Sequence, residues 1–166
     1  MSRSTRRALA LVSAALLFAA ARPASAQSLS ASERAVVTRE IRAAADGLIA
    51  AIGSRDIARF MALFTTEPDL VYVDNGKIYP SRAALEAAAG GFFSRIGRAG
   101  GRWEPAHVVA LSPSAGAFTG IFRPEMVDTA GAPLWTDGKI WTFVYERRQG
   151  RWVIVQAHEV NAKPGQ

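Results

Sequence analysis

The chain predicts an α+β domain in which three N-terminal helices pack on one face of a curved antiparallel β-sheet. Two observations carry this. Helical periodicity after the N-terminal segment is confined to the stretch from Ser32 to Ile96, broken once by a short hairpin signal. From Trp103 onward the chain is a succession of β-rich runs separated by turn signals, with no repeat or low-complexity tract. Helices followed by a meander of long strands is the order of a segregated α+β domain.

The first 26 residues stand apart. "MSRSTRR" is a basic n-region, "ALALVSAALLFAAA" an apolar core shorter than a comfortable membrane span, and Ala24-Ser25-Ala26 a small-x-small cleavage site. The pattern predicts a secretory signal peptide over 1–26 and one domain over 27–166, with a periplasmic or secreted location. Arg6-Arg7 resembles a twin-arginine signal; a plain basic n-region fits the general export route, and both stay open. The segment holds four of the twenty Lys and Arg residues and none of the fourteen acids, so the remainder carries 16 against 14, or +2 rather than +6. With no dense basic stripe the sequence predicts no nucleic-acid partner. No second apolar run approaches spanning length, so no membrane association is expected after cleavage. The chain has no cysteine, which excludes disulfides and thiolate chemistry, so the fold must rest on its core.

From Ser32, "SERAVVTREIRAAADGLIAAIGSRD" reads as a long helix with Ser30 or Ser32 as cap, Val37, Ile41, Ala44, Leu48 and Ile52 at three-to-four spacing, and Gly53 as its end. "RDIARFMALF" is a short second helix with Asp56 near its start and Ile57, Phe60, Met61 and Phe64 buried, and Glu67-Pro68-Asp69 breaks the chain. "DLVYVDNGKIYP" is a strand, an Asn-Gly turn and a returning strand. "SRAALEAAAGGFFSRI" is a third helix capped by Ser81. "GRAGG", from Gly97 to Gly101, reads as a flexible connection. "WEPAHVVALS", "AGAFTGIFRPEMVD", "KIWTFVYERR" and "RWVIVQAHEV" are the strands of the meander, with a bulge or edge at Arg123-Pro124-Glu125 because proline donates nothing to a ladder.

Two segments carry a family resemblance. "GSRDIARFMALFTTEPDLVYVDNG" is similar to the helix-helix-strand opening of the nuclear transport factor 2-like superfamily, and of its SnoaL-like proteins in particular. "YERRQGRWVIVQAHEV" resembles its ending of a Gly-x-Trp turn, an apolar run and a late histidine. The resemblance implies a cone-shaped fold over nearly the whole of 27–166, a cavity, and a homodimer built through the outer face of the sheet. It does not choose a function, because the superfamily holds isomerases, cyclases, hydrolases, dehydratases and assembly modules without chemistry.

Tyr72 and Asp74 are two apart on one strand and share a face. The resemblance to ketosteroid isomerases makes Asp74 the nearest match to a proton-abstracting carboxylate, and Tyr72-x-Asp74 is a looser echo of the water-holding residues of limonene-epoxide hydrolases. The alternative is that Asp74 caps the hairpin turn. An isomerase oxyanion hole is missing: its helical tyrosine falls near Leu48, and its strand acid, counted back from Gly150, falls at Thr142. On the last strand Trp152, Ile154, Gln156 and His158 share one face and Val153, Val155, Ala157 and Glu159 the other. The isomerase register turns Val155 and Glu159 inward, His158 outward, and the stripe Trp141, Phe143, Tyr145 outward toward a dimer partner; a single bulge reverses such an assignment. Glu159 or His158 therefore faces the cavity, and an inward Glu159 pairs with Asp74.

The sequence thus nominates Asp74, Glu159 and His158 for catalysis and Tyr72, Thr142 and Val155 for ligand contact. The expected ligand is a small hydrophobic molecule. Neither metal nor cofactor is implied: His107 and His158 are the only histidines, without metal-ligand spacing, and no Gly-rich phosphate loop is present. The four tryptophans, at 103, 135, 141 and 152, read first as core and dimer contacts. The competing class is a non-catalytic accessory or dimerisation module whose cone is filled by its own side chains.

Overall fold

The structure, a computed structural model, describes residues 28–66, 68 and 70–162. The expected signal peptide over 1–26, and Glu67 and Asp69 of the expected chain break, lie outside the described residues.

Helix α1, Ala31–Ser54, begins with a capping box: the Ser30 hydroxyl accepts from Glu33 N at 3.2 Å while Ser30 N donates to the Glu33 carboxylate at 2.8 Å. It passes Gly53 and ends where Arg55 takes the left-handed conformation, φ 55°, and its N–H returns to Ile52 O. Its inner stripe is Val37, Ile41, Ala45, Leu48, Ala51 and Ile52, so Ala45 rather than Ala44 is the fully buried alanine. Asp56 caps α2, Ile57–Met61, and Ser81 caps α3, Arg82–Phe93. Between them lie β1, Val71–Asp74, and β2, Lys77–Tyr79, joined through Asn75 and Gly76 at φ 46° and 85°, which are the values a type I′ turn demands.

Seven further strands follow. They are β3 (Ile96–Arg98), β4 (Gly101–Ser112), β5 (Ala115–Pro124), β6 (Met126–Asp128), β7 (Pro133–Trp135), β8 (Lys139–Arg148) and β9 (Arg151–Asn161). With β1 and β2 they form a six-stranded sheet in the order β2-β1-β9-β8-β5-β4 and a small sheet β3-β6-β7. The large sheet is mixed rather than antiparallel, because β1 runs parallel to β9. A parallel neighbour needs a long connection, and α3 with seven strands separates these two. The run "AGAFTGIFRPEMVD" is likewise two strands: β5 ends at Pro124, and β6 joins the other sheet.

The glycine-rich stretch after α3 is not a slack connection. Gly97 sits in β3, where a Cβ would stand 2.1 Å from the Asp128 backbone oxygen, and Gly101 opens β4 at φ 145°. Gly97→Ala must push two backbones apart and is expected to destabilise by about 2–3 kcal/mol. Chemical denaturation measures this; a loss below about 0.5 kcal/mol, the scatter of an inert surface change, would mean that the small sheet opens freely there.

The inner face of the large sheet and α1 enclose the core. Trp103, Phe118, Phe122, Trp141, Phe143 and Tyr145 are buried together, with Trp103 packed edge-on to Phe118 and Trp141. The aromatic stripe of β8 therefore faces inward, opposite to the transferred register. A bulge is the cause. Tyr145 pairs with Ile154 but Val144 pairs with Gln156, so Val155 is an extra residue with no opposite number. Beyond it every β8 side chain meets β9 one position later than an unbroken hairpin from Gly150 would give. Ala157 and Glu159 stay inward and His158 outward, but the inward residues of β8 become Phe143 and Trp141 instead of Thr142.

Candidate functional site

A cavity of about 750 Å³ opens between α3, the β1–β2 hairpin, the segment before β8 and the inner ends of β8 and β9. Its apolar wall includes Ile52, Phe60, Leu85, Phe93, Leu134 and Trp141. Phe92 on α3 and Trp135 on β7 also line it and stack on each other, centroids 4.6 Å apart and 11° from parallel.

Its polar end is one row across the sheet. Asp74 on β1 is the Cα partner of Glu159 on β9, which is the partner of Trp141 on β8. Lys139, two residues before Trp141, shares its face and reaches both acids. Its Nζ donates to Glu159 Oε1 at 3.2 Å and to Asp74 Oδ1 at 3.3 Å, and stands 4.7 Å from the Trp135 ring centroid. The side chains of Lys139 and Glu159 are 7% and 8% exposed; that of Asp74 is 32% exposed, so the cluster runs from a dry interior to a wetter mouth.

Asn75 holds the mouth end in place. Its Nδ2 donates to Asp74 Oδ1 at 2.6 Å, and its Oδ1 accepts from Asn161 N at 2.9 Å. The Asn-Gly turn thus aims Asp74 as well as reversing the chain. Burial, opposed by Lys139 and reinforced by Asp74, pushes the Glu159 carboxyl up to about 8. Glu159 thus holds its proton near neutrality. Tyr72 is buried one row away; burial first, then Glu159 and Asp74, hold its hydroxyl well above the ordinary tyrosine range. The site therefore offers a carboxyl acid, a second carboxylate nearer water, a buried ammonium and a neutral phenol, opening on an aromatic chamber.

All six sequence-nominated residues have clear positions relative to this row. Tyr72, Asp74 and Glu159 line the cavity, and His158 does not: it is exposed on the outer face, beside Thr142. Thr142 also points outward, its hydroxyl 3.0 Å from that of Thr119, and Val155 sits at the bulge away from the cavity. Both were placed inward by counting along an unbroken β8–β9 hairpin, and the bulge removes that premise. The same error hid Lys139. It is in phase with Trp141, Phe143 and Tyr145, so a lysine at the head of an aromatic stripe was the available signal, unread while the stripe faced outward.

The whole arrangement has counterparts. A model of the SnoaL-like domain matches residues 41–159, well over half of the chain. No curated protein matches. Among solved structures, a candidate calcium/calmodulin-dependent protein kinase II association domain from Xanthomonas campestris is 25% identical with a TM-score of 0.66, over 77% of this chain and 89% of that one. A candidate dehydratase of the NTF2-like family from Streptomyces avermitilis is 14% identical, TM-score 0.69, over 78% and 98%. A candidate scytalone dehydratase from Novosphingobium aromaticivorans is 12% identical, TM-score 0.69, over 81% and 89%. At such identities the last two speak for the fold alone, whereas the family model spans the helices, the hairpin and the strands that build the site. The chain belongs to the SnoaL-like family of the nuclear transport factor 2-like superfamily.

Proposed function

We propose that the protein binds a small, mainly apolar molecule in the cone cavity and acts on it by proton transfer, with Asp74 as general base and Glu159 as general acid. The observation that carries this reading is the Lys139, Asp74 and Glu159 cluster on the wall of an open aromatic cavity. Two carboxyls of unequal environment, one dry and protonated near neutrality and one closer to water, are the division of labour that acid-base catalysis needs. Lys139 touches both and steadies negative charge on whichever is ionised. About 750 Å³ also exceeds the roughly 300 Å³ at which small-molecule sites begin, so the cone is not filled by its own side chains.

The reading includes export of the chain, on the pattern of residues 1–26, and a homodimer through the outer sheet face. That face carries Val109 and Leu111 on β4 at 56% and 61% exposed, and Val160 on β9, with β5 and β8 between them. A second reading, an assembly module, draws on the resemblance to the association domain from Xanthomonas campestris.

Native mass spectrometry of the protein purified gently from its own cells separates the two. The expected result is a dimer carrying a reproducible small-molecule mass; an empty dimer or larger ring would favour the module. With that ligand in hand, Asp74→Asn is expected to slow its turnover by about 10²–10⁴-fold, the usual contribution of a positioned base. Unchanged turnover would take Asp74 out of the chemistry.

A further inference from the structure

Two buried polar atoms of the cavity wall have no hydrogen-bond partner among the described residues: Nε1 of Trp141 and Oε2 of Glu159. Trp141 and Glu159 are 3% and 6% exposed and are Cα partners on adjacent antiparallel strands. On the shared face such partners have Cβ atoms about 5 Å apart, which sets the two side chains next to each other on the cavity wall. An unsatisfied buried donor is costly enough that folded proteins rarely keep one without a use. Trp103 shows how this core treats an indole it uses only for packing, since its Nε1 donates to Ala45 O at 3.2 Å.

We propose that the ligand of this cavity presents a hydroxyl oxygen to Trp141 and Glu159, accepting from the indole N–H and hydrogen-bonding Oε2 of the carboxyl. This rests on the cavity reading given above and names the chemical class that the cavity takes. A hydroxyl both donates and accepts, so it satisfies Oε2 whether Glu159 holds its proton or not, and a lone pair remains for the indole. A carbonyl oxygen accepts from the indole and from a protonated Glu159, but it offers nothing to Oε2 once the carboxyl ionises, so only a hydroxyl serves both states. A carboxylate offers only lone pairs and would enter beside Asp74, with Lys139 already shared by two acids. Trp141 is on this account a specificity-determining residue: it selects oxygen-bearing ligands and orients them beside the Asp74–Glu159 row.

The test uses the purified protein and an isosteric probe pair, 2-naphthol and 2-methylnaphthalene, titrated at pH 6 by calorimetry. Trp141→Phe keeps an aromatic ring and deletes the N–H. It is expected to weaken 2-naphthol about tenfold relative to 2-methylnaphthalene, the effect of one hydrogen bond. Glu159→Leu, which removes the other partner, should lower the same ratio and serves if the tryptophan variant fails to fold. A ratio that stays within about twofold of wild type in the folded variants overturns the hydroxyl assignment while leaving the cavity reading standing. Failure of the wild type to bind either probe overturns the cavity reading and this assignment with it.

Discussion

Between pH 5.5 and pH 8.5 the protein is expected to lose about 3 kcal/mol of folding stability through Glu159 alone. The carboxyl titrates near 4.5 when the chain is unfolded and at about 8 in the folded state, chiefly because burial disfavours its charge. Between those values the folded protein keeps a proton that the unfolded chain has released. Stability must then fall as pH rises, beginning above 4.5 and levelling beyond 8. This is opposite to a hydrogen-bonded carboxylate held below its ordinary range, such as the exposed Glu33 that accepts from Ser30 at the first helix cap, whose effect is confined to more acid solution. Denaturant titrations across the range measure the slope. Glu159→Gln, which cannot ionise, should flatten it; a variant with the undiminished slope would mean that another group is responsible.

Lys139→Met is expected to be a pH-dependent lesion. At pH 6 Glu159 is neutral, so the charge pair lost is the one with Asp74, whose side chain is 32% exposed and partly solvated; the hydrogen bond to neutral Glu159 and the Trp135 ring contact go with it. Screening limits that pair, and methionine fills the apolar stem space, so the loss should be about 1 kcal/mol. At pH 9 the folded protein must either ionise Glu159 without its ammonium partner or hold the proton against the solvent. Because the wild-type carboxyl titrates at about 8, holding the proton at pH 9 caps the added loss at about 1.4 kcal/mol, for a total of about 2 kcal/mol. Adding Glu159→Gln should make the loss equal at both pH values. A single Lys139→Met variant that loses about 3 kcal/mol at both pH 6 and pH 9 would show that Glu159 is already ionised at pH 6. Such a result would also remove it as a general acid.

Both predictions depend on a cluster that was only half legible in the sequence. Tyr72 and Asp74 could be read because their alternation is local and the Asn75-Gly76 turn ends the strand beside them. The helices were legible for similar reasons: Ser30, Asp56 and Ser81 cap three periodic segments, and a cap interacts only with the next turn. Lys139 and Trp141 were not legible as site residues, since which face of β8 meets the cavity is a property of its pairing with β9. Both faces of β9 carry apolar residues, so hydrophobic pattern could not reject a one-residue slip.

By itself, then, the sequence determined the local elements: where helices begin, where the hairpin turns, that long strands close the chain, and that an acid ends the first of them. The tertiary structure decided three things that no local pattern encodes. It laid β1 parallel to β9, which makes Asp74 and Glu159 neighbours although 85 positions lie between their numbers. It drew β3, β6 and β7 into a second sheet across which Gly97 must admit the Asp128 backbone. And it inserted Val155 as a bulge, turning Lys139 and Trp141 inward and Thr142 outward. The physical reason is common to all three. Side-chain direction in a sheet has a period of two, so it is set by the register of partners distant in sequence, and one unpaired residue inverts it for a whole strand.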